Sequence, residues 1–323
     1  MTRRPSPSTR RGRPPARVVP GGSNAVGSMI VPSLGASTTT TTSRYDKFGC
    51  VEPDGFTPWQ RLRLFVIGIH KVGGKTTLFA QRRNNAYLDF EGGSQAVPMG
   101  PGSTRFRIRS FKQLMDLMNA IHADTQKGEC PFEHITFDTV DVLISLVAEH
   151  LSAFVEWCAK NHRSIYEFGE GKGGHNLIAQ SVLLYPRAIA EWNLGWTVLG
   201  QMKLRETRAL DGSVYEEWTS AAPGLVDSGL KCLADMNAKV LSITEQGVET
   251  QGKKVVPVFT RRFWFEPQTP PEEAAQGWTS AHRGSRVTMP ERLEIPKIRG
   301  IDAIEAAYEG ACHEEAKVWK RSS

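Results

Sequence analysis

From Trp59 onward, short apolar runs alternate with stretches whose apolar residues recur at helical spacing. The runs LRLFVI (62–67), AYLDF (86–90), FRIRS (106–110), HITF (134–137), WTVLG (196–200) and AKVLSI (238–243) have the length and composition of buried strands. Phe111, Leu114, Leu117, Met118 and Ile121 mark the inner face of a helix over 110–123. Val142, Leu143, Leu146, Val147, Leu151, Phe154, Val155 and Cys158 mark a longer one, and further helices are expected at 75–82 and 176–192. Strands alternating with helices of this length predict an α/β fold: a mostly parallel central sheet with helices on both faces. Asp211-Gly212, between extended and partly alternating flanks, predicts a projecting hairpin over 204–218. Ile301, Ile304, Ala307, Tyr308, Ala311 and Val318 predict the docking face of a C-terminal helix within 300–323.

Charge divides the chain differently. Residues 1–45 carry seven arginines and no acidic residue, within a Pro-, Ser-, Thr- and Gly-rich stretch that includes a threonine run at 38–42. Such a segment buries too little apolar surface to offset its chain entropy, so a disordered basic tail is expected. A solvated tail with weak polyanion affinity, a nucleic-acid arm, a transit peptide and an inert extension upstream of Met29 are all compatible with it. Prolines at 5, 7, 14 and 15 oppose the amphipathic helix of a transit peptide. Without those seven arginines, 33 basic residues face 34 acidic ones, so the net charge of +6 belongs to the tail and the 46–299 core is nearly neutral. Any nucleic-acid surface there must come from local clustering.

Five cysteines without CxxC spacing argue against a disulfide framework or zinc site and favour a reducing, cytoplasmic interior. No apolar run approaches the ~18–20 residues that cross a membrane, so no membrane association is expected.

Chemistry concentrates in GIHKVGGKTT, residues 68–77, between a strand and a helix. The pattern G-x4-G-K-[ST] in that setting cradles phosphates: backbone N–H groups wrap them, a lysine reaches the β- and γ-phosphates, and a hydroxyl holds Mg²⁺. Gly73, Gly74, Lys75, Thr76 and Thr77 are the candidate ATP-binding residues, with Thr76 on the metal. The motif's first glycine should fall at Ile69, but glycine stands one position earlier, at Gly68. HITFDTVD (134–141) is an apolar strand ending in Asp138, where a carboxylate beside the phosphate loop can hold Mg²⁺ through water. In YLDFEGG (87–93), Glu91 lies just past a strand end, where it could take a proton from an attacking water. Asp89, inside the strand, is expected to be structural.

The order GKTT, YLDFEGG, ITFDTVD resembles the RecA-like P-loop ATPases encoded by bacteriophages, some of which are single-strand annealing or recombination proteins. The resemblance covers about residues 60–245. It implies a RecA-like fold, ATP and Mg²⁺ as cofactors, and Glu91 as catalytic base. It also implies that Gln201 senses the γ-phosphate and that two mobile loops, 165–175 and 203–228, line a channel for single-stranded DNA. Lys172 and His175 in the first loop, and Lys203, Arg205, Arg208, Tyr215 and Trp218 in the second, suit backbone tracking and base stacking. Glu206, Asp211, Glu216, Glu217 and Asp227 dilute that charge, so a plain nucleotide-responsive hairpin is an equal reading. The resemblance further implies a homo-oligomer, ring or filament, with a cation donated across subunits; Arg261, Arg262, Arg283 and Arg286 are candidates. Two functions are therefore expected to compete: a DNA-stimulated ATPase, and a nucleotide-switched assembly protein with little turnover.

Overall fold

The computed structural model describes residues 56–70, 74–170, 172–208, 214–251, 254–267, 289–290, 292–296 and 299–322. All belong to one compact unit, Asp54–Ser323. The basic tail, Gly73, the hairpin tip at 209–213, Arg283 and Arg286 lie outside the described residues.

The chain runs β1 (Arg63–Gly68), α1 (Lys75–Ala80), β2 (Asn85–Asp89), β3 (Thr104–Arg107), α2 (Phe111–Lys127), β4 (His134–Asp138), α3 (Val140–Phe154), α4 (Glu156–Asn161) and α5 (Lys172–Glu191). It continues through β5 (Gly195–Arg208), β6 (Val214–Ser220), α6 (Gly224–Leu233), β7 (Met236–Gln251), β8 (Lys254–Glu266), β9 (Leu293–Ile295) and α7 (Gly300–Ser322). The sheet order is β3-β2-β4-β5-β1-β7-β8-β9, with β6 paired to β5 outside that path. Pairings from β3 through β7 are parallel, and β6, β8 and β9 join antiparallel. This is the mostly parallel α/β sheet expected from the sequence.

Strand alternation sorts the core into two layers. Phe65, Ile67, Leu88, Phe137 and Val198 pack with α2, α3, α5 and α6 on one face. Leu64, Val66, Tyr87, Leu199 and Val240 pack with α1 and α7 on the other. All five residues of β2 and of β4 are buried, as central parallel strands covered on both faces require. Helix α2 shows how local sequence sets the limits: the Ser110 side chain caps its start by accepting from Gln113 N–H, and Gly128 ends it in a left-handed conformation. Its inner residues Phe111, Leu114, Met118 and Ile121 are each at most 3% exposed, each contributing roughly 1.5–3 kcal/mol by burial.

Several elements differ from expectation. The 165–175 segment is not an open loop: Ile165–Glu167 forms a 3-10 turn and α5 begins at Lys172. Its glycines serve close packing, since a Cβ on Gly174 would lie 1.8 Å from the Ile165 carbonyl oxygen. The 203–228 segment contains the end of β5, all of β6 and the first turn of α6. The hairpin expected at 204–218 does form, from the outer part of β5 paired antiparallel with β6, and it is a direct continuation of the central strand β5. A second long hairpin, β7–β8, was not expected; Pro257, Arg261 and Arg262 interrupt the apolar pattern of its outer strand.

Candidate functional site

The residues singled out around the phosphate motif converge at the carboxyl ends of β1, β2 and β4 and beside Gln201 within β5, the edge where open α/β sheets bind ligands. Register explains the convergence. Asp89 pairs with Asp138, Asp138 with Leu199, and Gly68 with both Gln201 and Val240.

Gly68 resolves the displaced glycine. It is the last residue of β1, and a Cβ there would lie 2.7 Å from the Val240 carbonyl oxygen and 3.0 Å from the Lys75 side chain. Glycine is needed where the strand end passes beneath the lysine, and Ile69 lies beyond that contact. Lys75 is buried, and its Nζ donates to the carbonyls of Gly68 at 2.6 Å and Ile69 at 3.2 Å. Burial lowers its pKa, while Asp138, Glu91 and Asp141 favour the ammonium form. Gly74 caps α1 with φ 71°, and Phe263 of β8 packs against it. Thr77, one residue past Thr76, is exposed.

Thr76 Oγ1 donates to Asp138 Oδ2 at 2.8 Å, and the Tyr87 hydroxyl donates to the same oxygen. Burial raises the Asp138 pKa, and those two donors oppose the rise. Asp138 Oδ1 is buried without a hydrogen-bond partner. A hydroxyl beside a carboxylate with one free oxygen fits Mg²⁺, which takes hard oxygen ligands and keeps much of its water. Among the described residues no group of three or more His, Cys, Asp or Glu could cage a metal, so an ion here would draw its remaining ligands from phosphate and water. The peptide bond from Asp138 to Thr139 is cis.

Glu91 is the exposed acid of the group, and its Oε1 accepts from Thr139 Oγ1 at 2.7 Å and from Gln201 Nε2 at 3.1 Å. The backbone N–H of Gln201 donates to Asp141 Oδ2 at 2.9 Å, which fixes the strand at the point where its side chain reaches Glu91. Asp89 is buried and accepts from Gly92 N–H and Ser94 Oγ, a structural knot that holds the loop carrying Glu91. Glu91, Gln201, Lys75, Thr76 and Asp138 are thus brought together. Lys172 and His175 lie on α5, and Lys203 and Arg205 on β5 beyond Met202.

Tyr87, Thr139 and Asp141 belong to the site and were not singled out from sequence. Strand alternation carried a signal for Tyr87, which shares its face with Asp89, and Thr139 directly follows Asp138. Arg261 stands over the Phe263 ring, 5.4 Å from its centroid, and its guanidinium donates to Ser242 Oγ at 2.6 Å. Arg262 pairs with Glu245 and Glu294, engaged within its own sheet.

No curated protein matches this chain. Among solved structures, a KaiC-like protein from the hyperthermophilic archaeon Pyrococcus horikoshii aligns at 8% identity and a TM-score of 0.36, over 74% of this chain and 87% of that one. The family model described as an AAA domain matches residues 60–263, a span running from just before β1 into β8 and enclosing every residue of the cluster. The chain belongs to that AAA domain family of P-loop ATPases.

Proposed function

We propose that this protein binds ATP with Mg²⁺ and hydrolyses it, and that hydrolysis drives or is driven by engagement of single-stranded DNA within a homo-oligomer. Lys75 would neutralise the β- and γ-phosphates, and Thr76 with Asp138 would hold the magnesium ion, whose chemistry is to offset charge on the transferring phosphate. Glu91 would take the proton of the attacking water. Thr139 and Gln201 both donate to Oε1, so Oε2 is the oxygen left for that proton.

One observation carries the coupling. Gln201 touches the candidate base and lies on the strand that continues without interruption into the β5–β6 hairpin. A change at the γ-phosphate that moved Gln201 would therefore be transmitted along a single backbone to whatever the hairpin contacts. Lys203 and Arg205 on β5 support a nucleic-acid contact through phosphate. The test is hydrolysis with and without single-stranded DNA: stimulation that vanishes in Lys75→Ala supports the reading, and turnover unchanged by any nucleic acid removes the DNA part of it.

A second reading is favoured by Leu204 and Trp218, which face each other across the hairpin and are 45% and 41% exposed. An exposed apolar pair suits a protein partner as well as a base. In that reading the chain is a nucleotide-switched assembly protein, with tight ATP binding and little ADP release over an hour.

A further inference from the structure

Glu91 stands on the loop that leaves β2, and Asp89 ties the start of that loop through Gly92 N–H and Ser94 Oγ. Further support comes from the neighbouring strand. β3 ends the sheet on that side and pairs with β2 in parallel register, Tyr87 with Arg105 and Asp89 with Arg107. Two apart on one strand, Arg105 and Arg107 share the face that carries Tyr87 and Asp89. Both guanidinium groups turn onto the loop. Arg105 donates to the carbonyls of Gln95 and Val97. Arg107 donates through Nη2 to the carbonyl of Glu91 itself at 3.3 Å, and its Nη1 lies 3.8 Å from Asp89 Oδ2.

Gly92 makes room for this contact. A Cβ there would lie 1.3 Å from Arg107 Nη1 and 2.0 Å from its Cζ, so the guanidinium fills the space a side chain would take. At Gly93 a Cβ would meet nothing within 4 Å. The two glycines of the EGG run therefore differ, and only the first is matched to Arg107. The arrangement has a cost: Nε and Nη1 of Arg107 are buried without a hydrogen-bond partner. A cation kept in that position, against a buried carboxylate and the carbonyl of the candidate base, points to a task beyond surface charge.

We propose that Arg107 is a positioning residue for Glu91. By holding the Glu91 carbonyl and the turn at Gly92, it sets the carboxylate where Thr139 and Gln201 meet it. The proposal rests on the reading of Glu91 as the base.

The experiment is a double-mutant cycle in single-turnover hydrolysis, with hydrogen exchange as the structural readout. Arg107→Met keeps the stem and removes the guanidinium. It should lower the rate about 10- to 100-fold, the scale of a reacting group misplaced by up to about 1 Å, with ATP affinity by calorimetry unchanged. In a Glu91→Gln background the same substitution should cost less than about twofold, because no base is left to misplace. General destabilisation would lower both backgrounds alike. Amides of 91–97 should exchange faster in Arg107→Met, while those of β4 keep the wild-type rate. Gly92→Ala should reproduce the loss, and Gly93→Ala should not. Arg107→Lys, which keeps a charge beside Asp89, should recover part of the rate, and it runs through the same cycle if the methionine variant does not fold. A wild-type rate in Arg107→Met, or an equal loss in both backgrounds, overturns the role of Arg107 while Glu91 stands. Full turnover in Glu91→Gln overturns the base reading instead, and the role of Arg107 with it.

Discussion

The hydroxyl of Thr139 donates to Oε1 of Glu91 at 2.7 Å, joining the residue after Asp138 to the candidate base on a different strand end. With Gln201 on the same oxygen, the carboxylate is held from both sides. Thr139 is a positioning residue in this arrangement. Thr139→Val should lower kcat by about 10- to 100-fold, the worth of one hydrogen bond to a charged group, with KM for ATP little changed. Thr139→Ser should restore most of the rate. Glu91→Gln should cost about 10²–10⁴-fold. A Thr139→Val enzyme with normal kcat would remove Thr139 from the mechanism.

Lys75→Ala should lower kcat/KM by at least about 100-fold, the size expected when one donor to a developing charge is lost. Calorimetric titration with ATP should show the loss in binding as well as in rate. Thr76→Ala should act differently, raising the Mg²⁺ concentration needed for half-maximal hydrolysis while Asp138 remains in place. Chelation of Mg²⁺ should abolish turnover in every variant.

The glycine at 68 yields a sharper test because motif and structure disagree about which position matters. Gly68→Ala forces a methyl to within 2.7 Å of the Val240 carbonyl and against Lys75. Overpacking of this kind costs about 1–3 kcal/mol, so the thermal midpoint and ATP affinity should fall together. Ile69→Gly restores the motif's formal first glycine and should improve neither, since position 69 meets Lys75 through its backbone carbonyl, which the substitution keeps.

How far the sequence could be read follows from the range of each signal. Lys75, Thr76 and Asp138 were legible because each sits within a few residues of a strand end whose apolar run announces it. Gly68 was visible as an anomaly, but its cause is the carbonyl of Val240, 172 positions away, and no local pattern encodes that approach. Gly173 and Gly174 show the opposite failure: local composition says loop, whereas the missing side chains let α5 pack against the Ile165–Glu167 turn. Phe263 meets Gly74 only because β8 runs beside the phosphate loop. β8 itself escaped notice because Pro257, Thr260, Arg261 and Arg262 break up its apolar run.

Acid should destabilise the fold through His134. This residue of β4 is fully buried, with Nδ1 2.9 Å from the Gln60 carbonyl and Nε2 2.8 Å from Thr197 Oγ1. A carbonyl can only accept, so Nδ1 carries the proton and Nε2 accepts from the threonine hydroxyl. Burial, reinforced by Arg82, holds the His134 pKa well below its ordinary value of 6.5. The unfolded chain therefore binds a proton near pH 6.5 that the folded protein refuses. Above 6.5 the group contributes no pH dependence. Between 6.5 and the depressed folded value, stability falls as pH falls, approaching about 1.4 kcal/mol for each unit of separation between the two pKa values. Denaturant midpoints measured from pH 7.5 down to 5 should decline along that slope. His134→Gln, which can offer one donor and one acceptor in place of the ring, should start less stable and show a flatter decline. An equal slope in both proteins would assign the acid sensitivity to other groups.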